Sequence, residues 1–179
     1  MRKILITIPM VFIILFSFTC TKTKDELKQF QDFKWGSSME EVRTIIVSRE
    51  HEVIRGIHQN HMGYVDEILN EIVTIGFYFT PKTQKLYMIG FLWKTNVVGN
   101  QLLKLIEKKY GPPTITKDNM RKYKSGDHII LLELRSNETI LGEYSSKYST
   151  INKKEETENN KSNLREEVNK DGNCNEKFI

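Results

Sequence analysis

Three histidines near the middle of the chain are the residues best suited to binding a metal ion. His51, His58 and His61 lie close together, and Glu50 and Glu52 flank the first of them. Zinc sites combine histidine, cysteine and carboxylate ligands at short, regular spacings. These histidines match no such spacing, no cysteine lies near them, and each has polar neighbours. We therefore expect solvated loop side chains here rather than a metal site.

The motifs that commonly carry catalysis do not occur in this sequence. It has no glycine-rich phosphate loop, no G-x-S-x-G, no H-E-x-x-H and no cysteine beside a plausible base. Two carboxylate pairs remain. Glu40 and Glu41 lie where a helix cap is expected, and Glu133 and Glu143 are expected to be merely exposed. The sequence therefore predicts a protein that is not an enzyme and that holds no cofactor.

The N-terminus has the features of an export signal. Arg2 and Lys3 precede an apolar run over residues 4–18, and Cys20 follows it. The run is shorter than the roughly 20 apolar residues that a membrane-spanning helix needs. The stretch resembles a bacterial lipoprotein signal, which is cleaved before a cysteine that then carries palmitate and other acyl chains. This resemblance implies a membrane anchor on Cys20, and an uncleaved signal anchor is the alternative.

Two apolar segments separated by a short polar one predict a β-hairpin. Residues 72–80 and 86–93 are dense in β-branched and aromatic side chains, and residues 81–85 are polar. If 81–85 form the loop, Thr80 faces Leu86, and opposed residues have numbers that sum to 166. One face of the hairpin then carries only bulky apolar side chains: Val73, Ile75, Phe77, Phe79, Tyr87, Ile89, Phe91 and Trp93.

The other face of this hairpin has two opposed glycines, Gly76 and Gly90. Glycine leaves a sheet thin, so that backbone or side chains can approach it closely. We expect something to pack or bind at this point, between Tyr78, Met88 and Leu92. A helix or loop of the same chain is the first interpretation, because large exposed apolar patches are unusual. The side chain of a partner protein is the second.

Two helices are expected, one before and one after the hairpin. For the start of the first helix the sequence offers two capping boxes: Ser37 with Glu40, and Ser38 with Glu41. The second helix runs roughly over residues 98–110, and Gly111 with the prolines after it gives a strong stop signal. Three further strands follow, and a two-residue turn at 136–137 would place Leu132 opposite Leu141.

The order of the predicted elements favours an α+β fold. Two helices would pack on one face of an antiparallel sheet, with two α-β-β-β units in tandem as one form of this arrangement. We assign residues 1–20 to a lipoprotein-type signal peptide, 21–34 to a tether, 35–148 to a single α+β domain and 149–179 to a disordered polar tail. The tail is assigned from its composition, because it is rich in charge and nearly free of apolar residues.

Two motifs give the chain a resemblance to known proteins. The motifs are W-G-S-S-M-E-E-V, which begins at Trp35, and L-L-K-L-I-E-K-K-Y-G-P-P, which ends at Pro113. They are similar to the helix start and helix end found in a broad group of bacterial envelope lipoproteins, most of them without an assigned function. The pattern over roughly residues 35–145 also resembles BamE-like and β-lactamase-inhibitor-like modules. That resemblance implies an α+β binding protein and transfers no functional residue.

Charge gives no reason to expect a nucleic acid partner. Lys and Arg number 27 and Asp and Glu 23, so the formal net charge is +4, and it falls to +2 without Arg2 and Lys3. We interpret the main basic cluster as a solvated edge strand that is charged so that it does not pair with neighbours. Its members are Lys117, Arg121, Lys122 and Lys124.

Together these observations predict a lipid-anchored protein of the bacterial cell envelope, facing the periplasm or the cell surface, that binds an envelope protein. Two alternatives stay open. One is a small-ligand sensor or a hydrolase with an unrecognised site, which a deep pocket with convergent polar groups would favour. The other is an antigenic or adhesive surface lipoprotein.

Overall fold

The computed structural model describes residues 32–55 and 59–172, with side chains described as far as residue 162. The following helices and strands lie in this part of the chain: α1 (Met39–Ser48), β1 (Ile54–Arg55), β2 (His61–Ile68), β3 (Glu71–Phe79), β4 (Leu86–Trp93), α2 (Gly99–Tyr110), β5 (Ile115–Lys117), β6 (Met120–Ser125), β7 (His128–Leu134), β8 (Thr139–Ser145) and α3 (Ser146–Gly172).

Several predictions from the sequence fall outside the described residues. The signal peptide over residues 1–20, its Cys20 and most of the tether over residues 21–34 are among them. So are His58 and Cys174. Among the helices that are described, none is both long enough and apolar enough to cross a bilayer.

The eight strands form one sheet in the order β1-β2-β3-β4-β8-β7-β6-β5. Every pairing is antiparallel. Strands β1 to β4 pair with their neighbours in sequence, and so do β5 to β8. The pairing of β4 with β8 joins these two groups in the middle of the sheet. The predicted α+β class is confirmed.

The central hairpin has the predicted register over most of its length. Gly76 lies opposite Gly90, and Val73 lies opposite Trp93. Beyond Tyr78 a β-bulge shifts the pairing, so that Phe79 faces Leu86. In the second half of the sheet, Leu132 pairs with Leu141 as expected.

The bulge corrects one prediction about the faces of the hairpin. Strict alternation predicts Tyr87 on the bulky apolar face, but Leu86 takes that place and is fully buried. A bulge adds one residue to its strand and so turns the following side chain to the other side. Tyr87 therefore lies with Tyr78 and Tyr144, on the opposite face.

The bulky side chains of the hairpin form the centre of one hydrophobic cluster. Phe77, Phe91 and Trp93 expose 1% of their surface or less. The apolar stripes of α1 and α2 are buried in the same cluster, through Val42 and Ile46 and through Leu102 and Ile106. Burial of this kind contributes about 25 cal/mol per Å² of apolar surface. We call the side of the sheet that carries this cluster the core face.

The first helix begins at the second of the two predicted capping boxes. The Ser38 backbone N–H donates to Glu41 Oε2 at 2.7 Å, and the Glu41 backbone N–H donates to Ser38 Oγ at 3.3 Å. The chain just before this helix also pairs with β4, because the Leu86 N–H donates to the Ser37 carbonyl at 2.9 Å. The second helix ends at Tyr110 as expected, with Gly111 at φ +78°.

The third helix contradicts the prediction of a disordered tail over residues 149–179 as far as residue 172, and residues 173–179 lie outside the described part of the chain. Helix α3 continues from Ser146 to Gly172, and its side chains contact the folded part of the chain as far as Glu158. The helix has no apolar stripe, so the sequence carried no periodic signal for it. It is held by polar contacts to the β3–β4 loop, which the next subsection describes.

Candidate functional site

Four glycines lie side by side across four adjacent strands. Gly63 of β2 is opposite Gly76 of β3, which is opposite Gly90 of β4, which is opposite Gly142 of β8. Opposed residues share a face, and Gly76 lies between two residues of the core face, so all four glycines are on the other side. We call this side the open face and the four residues the glycine row. With strands about 4.8 Å apart, the row is about 14 Å long.

Two tyrosine rings lie over the glycine row. Tyr78 Cε2 is 3.1 Å from the point where a Cβ on Gly76 would lie, and 3.3 Å from the same point on Gly90. Tyr144 Cε2 is 2.9 Å from the corresponding point on Gly142. The absence of side chains in the row therefore makes room for these rings. What lies over Gly76 and Gly90 is a tyrosine of the sheet itself, not a helix or a loop.

Tyr87 and Tyr144 on this surface remain neutral phenols at physiological pH. Burial raises the pKa of Tyr87 to about 12, and the nearby Glu156, Tyr144 and Tyr78 raise it further in the same direction. Burial and Tyr78 also raise the pKa of Tyr144. The His61 ring meets the Tyr78 ring edge-on, with 4.6 Å between ring centroids. A cluster of tyrosine side chains offers flat apolar contact area together with hydroxyl groups.

Beside the glycine row the open face is apolar and partly exposed. Val65, Thr74, Leu92 and Ile140 lie opposite one another across β2, β3, β4 and β8. Val65 exposes 45% of its surface, and Ile72, two residues before Thr74 on the same face, exposes 64%. Exposed apolar side chains on neighbouring strands of a sheet are typical of binding surfaces.

All five residues that the sequence proposed for partner binding lie on the open face. The register places Tyr78 opposite Met88, Gly76 opposite Gly90, and Leu92 opposite Thr74.

The sequence did not identify Gly63 and Tyr144 as parts of this surface. The β2–β3 hairpin could have placed Gly63, because its two-residue turn determines which residues of β2 and β3 lie opposite each other. That turn is Leu69–Asn70, with φ +59° at both residues, and leucine is uncommon in this conformation.

Helix α3 lies against one end of the open face and fixes the β3–β4 loop there. Glu155 accepts hydrogen bonds from the backbone N–H groups of Lys82 at 2.7 Å and Thr83 at 3.2 Å, and from Thr83 Oγ1 at 2.7 Å. Burial raises the pKa of Glu155, but these hydrogen bonds outweigh it and hold the pKa below its usual value. Lys82 Nζ also pairs with Glu158 at 2.9 Å.

A second group of ionisable side chains lies on the core face, around Glu143. Glu143 lies opposite Ile89 and Ile130 and is half-buried. The expectation that it is merely exposed is therefore wrong. Burial raises its pKa, and the charge of Lys109 opposes that shift. A carboxyl group in this setting keeps its proton to a higher pH than a free one and can act as a proton donor.

An aromatic side chain, Trp35, contacts His128 near this carboxyl group. The Trp35 indole N–H donates to His128 Nδ1 at 3.3 Å, with the two rings edge-on at 5.9 Å. His128 lies two residues before Ile130 on the same face of β7, and Ile130 faces Glu143. The side chains of Glu143, His128 and Trp35 therefore lie at the same end of the core face. The other sequence candidate, Glu133, lies on the open face and pairs with Arg135 at 2.9 Å.

Two of the histidines considered for metal binding, His51 and His61, lie on opposite sides of the sheet. His51 stacks on Tyr64 with 4.4 Å between ring centroids, and its Nε2 lies 3.7 Å from Asp66 Oδ2. Tyr64 belongs to the hydrophobic cluster, whereas His61 contacts Tyr78 on the open face. Within residues 32–55 and 59–172, no three His, Cys, Asp or Glu side chains are grouped to hold a metal ion.

Comparison with known proteins adds no relative from which a role could be transferred. No family model, no curated protein and no solved structure matches this chain. The case for a function therefore rests on the open face and on the group around Glu143.

Proposed function

We propose that this chain is a lipid-anchored binding protein of the bacterial cell envelope that holds a protein partner on its open face. The observation that carries the proposal is the exposed apolar surface beside the glycine row. Val65 and Ile72 would lose water contact on binding, and each fully buried side chain of this size contributes about 1.5–3 kcal/mol. The rings of Tyr78 and Tyr144 lie over the glycine row next to this surface, and tyrosine is enriched among the residues that dominate binding energies.

The fold supports this assignment if it consists of two α+β units in tandem. We propose that α1 with β1–β4 forms one unit and α2 with β5–β8 the other, with both helices on the core face. The burial of both apolar stripes in one cluster supports this arrangement. The opposite face is then left without cover from either helix, and among the described helices α3 alone contacts one end of it. A rigid sheet face of this kind presents side chains at fixed positions to a partner.

The partner contact can be tested by site-specific photo-crosslinking in the native envelope. We would place a photoreactive side chain at Ile72 on the open face and, as the control, at Leu105 on α2, which is 43% exposed. A discrete adduct is expected from position 72 and not from position 105. Equal adducts at both positions, or none at position 72, would mean that the open face does not bind a protein.

The lipid anchor has a separate test in the two cysteines of the chain. Cys20→Ala should abolish incorporation of labelled palmitate and release the protein from membranes, because no acylated cysteine would remain. Cys174→Ala is the matched control and should leave labelling unchanged. Labelling that survives in the Cys20 variant would refute lipidation at this residue.

A second candidate function is the binding of a small ligand at Glu143. The observation that favours it is a half-buried carboxyl group with a raised pKa close to His128 and Trp35. A ligand with a donor group could bind the carboxyl while stacking on the indole. Glu143→Gln would then weaken ligand-induced thermal stabilisation in a screen of envelope metabolites, whereas Ile72→Asp would not.

A further inference from the structure

The free edge of the sheet at β5 and β6 is strongly basic. The pairings of β5 and β6 place Lys117, Lys122 and Lys124 on the open face. Arg121 lies on the other side of the same two strands, opposite Thr116. Both sides of this edge therefore carry positive charge.

These positive charges are not neutralised by neighbouring carboxylates. In the described part of the chain, no ion pair involves Lys117, Lys122 or Lys124. Arg121 donates to the backbone carbonyls of Asp118 at 3.0 Å and Met120 at 3.1 Å, which leaves its charge uncompensated. The edge therefore presents a local positive potential although the net charge of the whole chain is small.

Apolar side chains accompany the lysines on the same side. Ile115 lies opposite Lys122 and exposes 48% of its surface. Met120 and Ile129 lie opposite Lys117 and Lys124, and both are partly exposed. Lysines next to exposed apolar side chains are the combination that binds anionic membrane surfaces, where charge attracts and apolar groups enter the interface.

We propose that the β5–β6 edge rests on the anionic phospholipid headgroups of the membrane. A chain anchored at Cys20 would hold the domain near that surface, since the residues between Cys20 and Asp32 span at most about 40 Å. The edge contact would then orient the domain. Lys122 lies two strands away from Gly142, or about 10 Å, so the glycine row stays accessible to a partner. The orientation rests on the proposed lipid anchor, and the headgroup contact does not.

Another role for these lysines is to keep the sheet edge from pairing with other chains. That role needs no lipid, so a vesicle-binding assay distinguishes it from contact with phospholipid headgroups. The protein used in this assay would be a shortened variant that runs from Thr21 to Ile179. It lacks only the signal and the anchoring cysteine, and it keeps the described hydrophobic cluster, which begins at Phe33. It would be sedimented with vesicles of phosphatidylglycerol mixed equally with phosphatidylcholine, and with vesicles of phosphatidylcholine alone.

The expected result is binding to the phosphatidylglycerol vesicles that falls with added salt, and little binding to phosphatidylcholine. Lys122→Glu with Lys124→Glu should weaken binding by at least about fivefold per lysine. Lys104→Glu with Lys108→Glu makes the same charge change on exposed positions of α2 and should have a much smaller effect. Lys117→Glu, on the exposed strand β5, repeats the test where folding is least affected.

Equal binding to both kinds of vesicle, or equal losses in the two double variants, would overturn the proposal. So would unchanged vesicle binding in the variant with Lys122→Glu and Lys124→Glu, since the lysines of the edge would then not contact the headgroups. None of these outcomes bears on crosslinking at Ile72, so this proposal and the proposed function can fail separately.

Discussion

Gly90 of β4 lies directly opposite Gly142 of β8, at the junction between the two groups of strands. The two glycines leave space on the open face for two rings, Tyr78 over the first and Tyr144 over the second. The burial that raises the pKa of Tyr144 arises in part from this packing. The shape of the candidate binding surface therefore depends on residues that have no side chain.

Gly142→Ala should destabilise the protein by about 1–3 kcal/mol, the usual cost of overpacking. A Cβ at this position would lie 2.9 Å from Tyr144 Cε2, so the ring would have to move. Urea unfolding measures the loss. In a Tyr144→Ala background the same substitution should be neutral or stabilising, because glycine is a poor strand residue when nothing occupies its space. The prediction fails if the two backgrounds give the same change.

Phe91→Ala should cost about 3–5 kcal/mol of unfolding free energy. The ring is 1% exposed and stacks against Trp93 with 6.0 Å between centroids. Ile72→Ala is the control on the opposite face of the same hairpin, and with 64% of its surface exposed it should change stability by less than about 0.5 kcal/mol. Similar losses in the two variants would show that the faces of the hairpin are assigned incorrectly.

Glu155→Gln should destabilise the protein by about 1–3 kcal/mol at neutral pH, because a buried charged acceptor of three hydrogen bonds is lost. The folded pKa of Glu155 is lowered, so its stabilisation is present above the unfolded pKa of about 4.3 and is lost as pH falls through the folded value. The difference between wild type and variant should therefore shrink in acid. Thermal unfolding across this pH range measures it.

The control for Glu155 is Glu158→Gln, in which an exposed carboxylate paired with Lys82 is neutralised. No measurable change in thermal stability is expected. Protease cleavage within α3 should be faster in the Glu155 variant than in the Glu158 variant. Equal cleavage would mean that the contacts of Glu155 do not hold the helix on the domain.

Glu143→Gln should have the opposite pH dependence. Burial raises the folded pKa of Glu143, so the stability linked to this group is fully present below the unfolded pKa and is lost as pH rises through the folded value. Glutamine has no charge to bury. The variant should therefore be more stable than wild type at about pH 8, and the advantage should disappear at about pH 4. A difference in melting temperature that stays constant across this range would contradict the assignment.

The sequence was sufficient where side-chain alternation determines the structure. The alternating pattern of the hairpin placed Gly76 opposite Gly90, and a capping box placed the start of α1. It failed where tertiary contacts decide. Helix α3 docks through Glu155 and not through an apolar stripe, and a bulge next to Tyr78 moved Tyr87 to the open face. Neither a polar docking contact nor a bulge leaves a periodic signal in the sequence.

Of the strands that the structure describes, β8 is synthesised last, yet it occupies the middle of the sheet between β4 and β7. Until it arrives, the chain carries two unpaired strand edges, and both border large apolar side chains. Contacts between strands that are distant in sequence form slowly, and exposed edges invite aggregation. A chain interrupted before Thr139 would thus be left with two half-sheets prone to self-association.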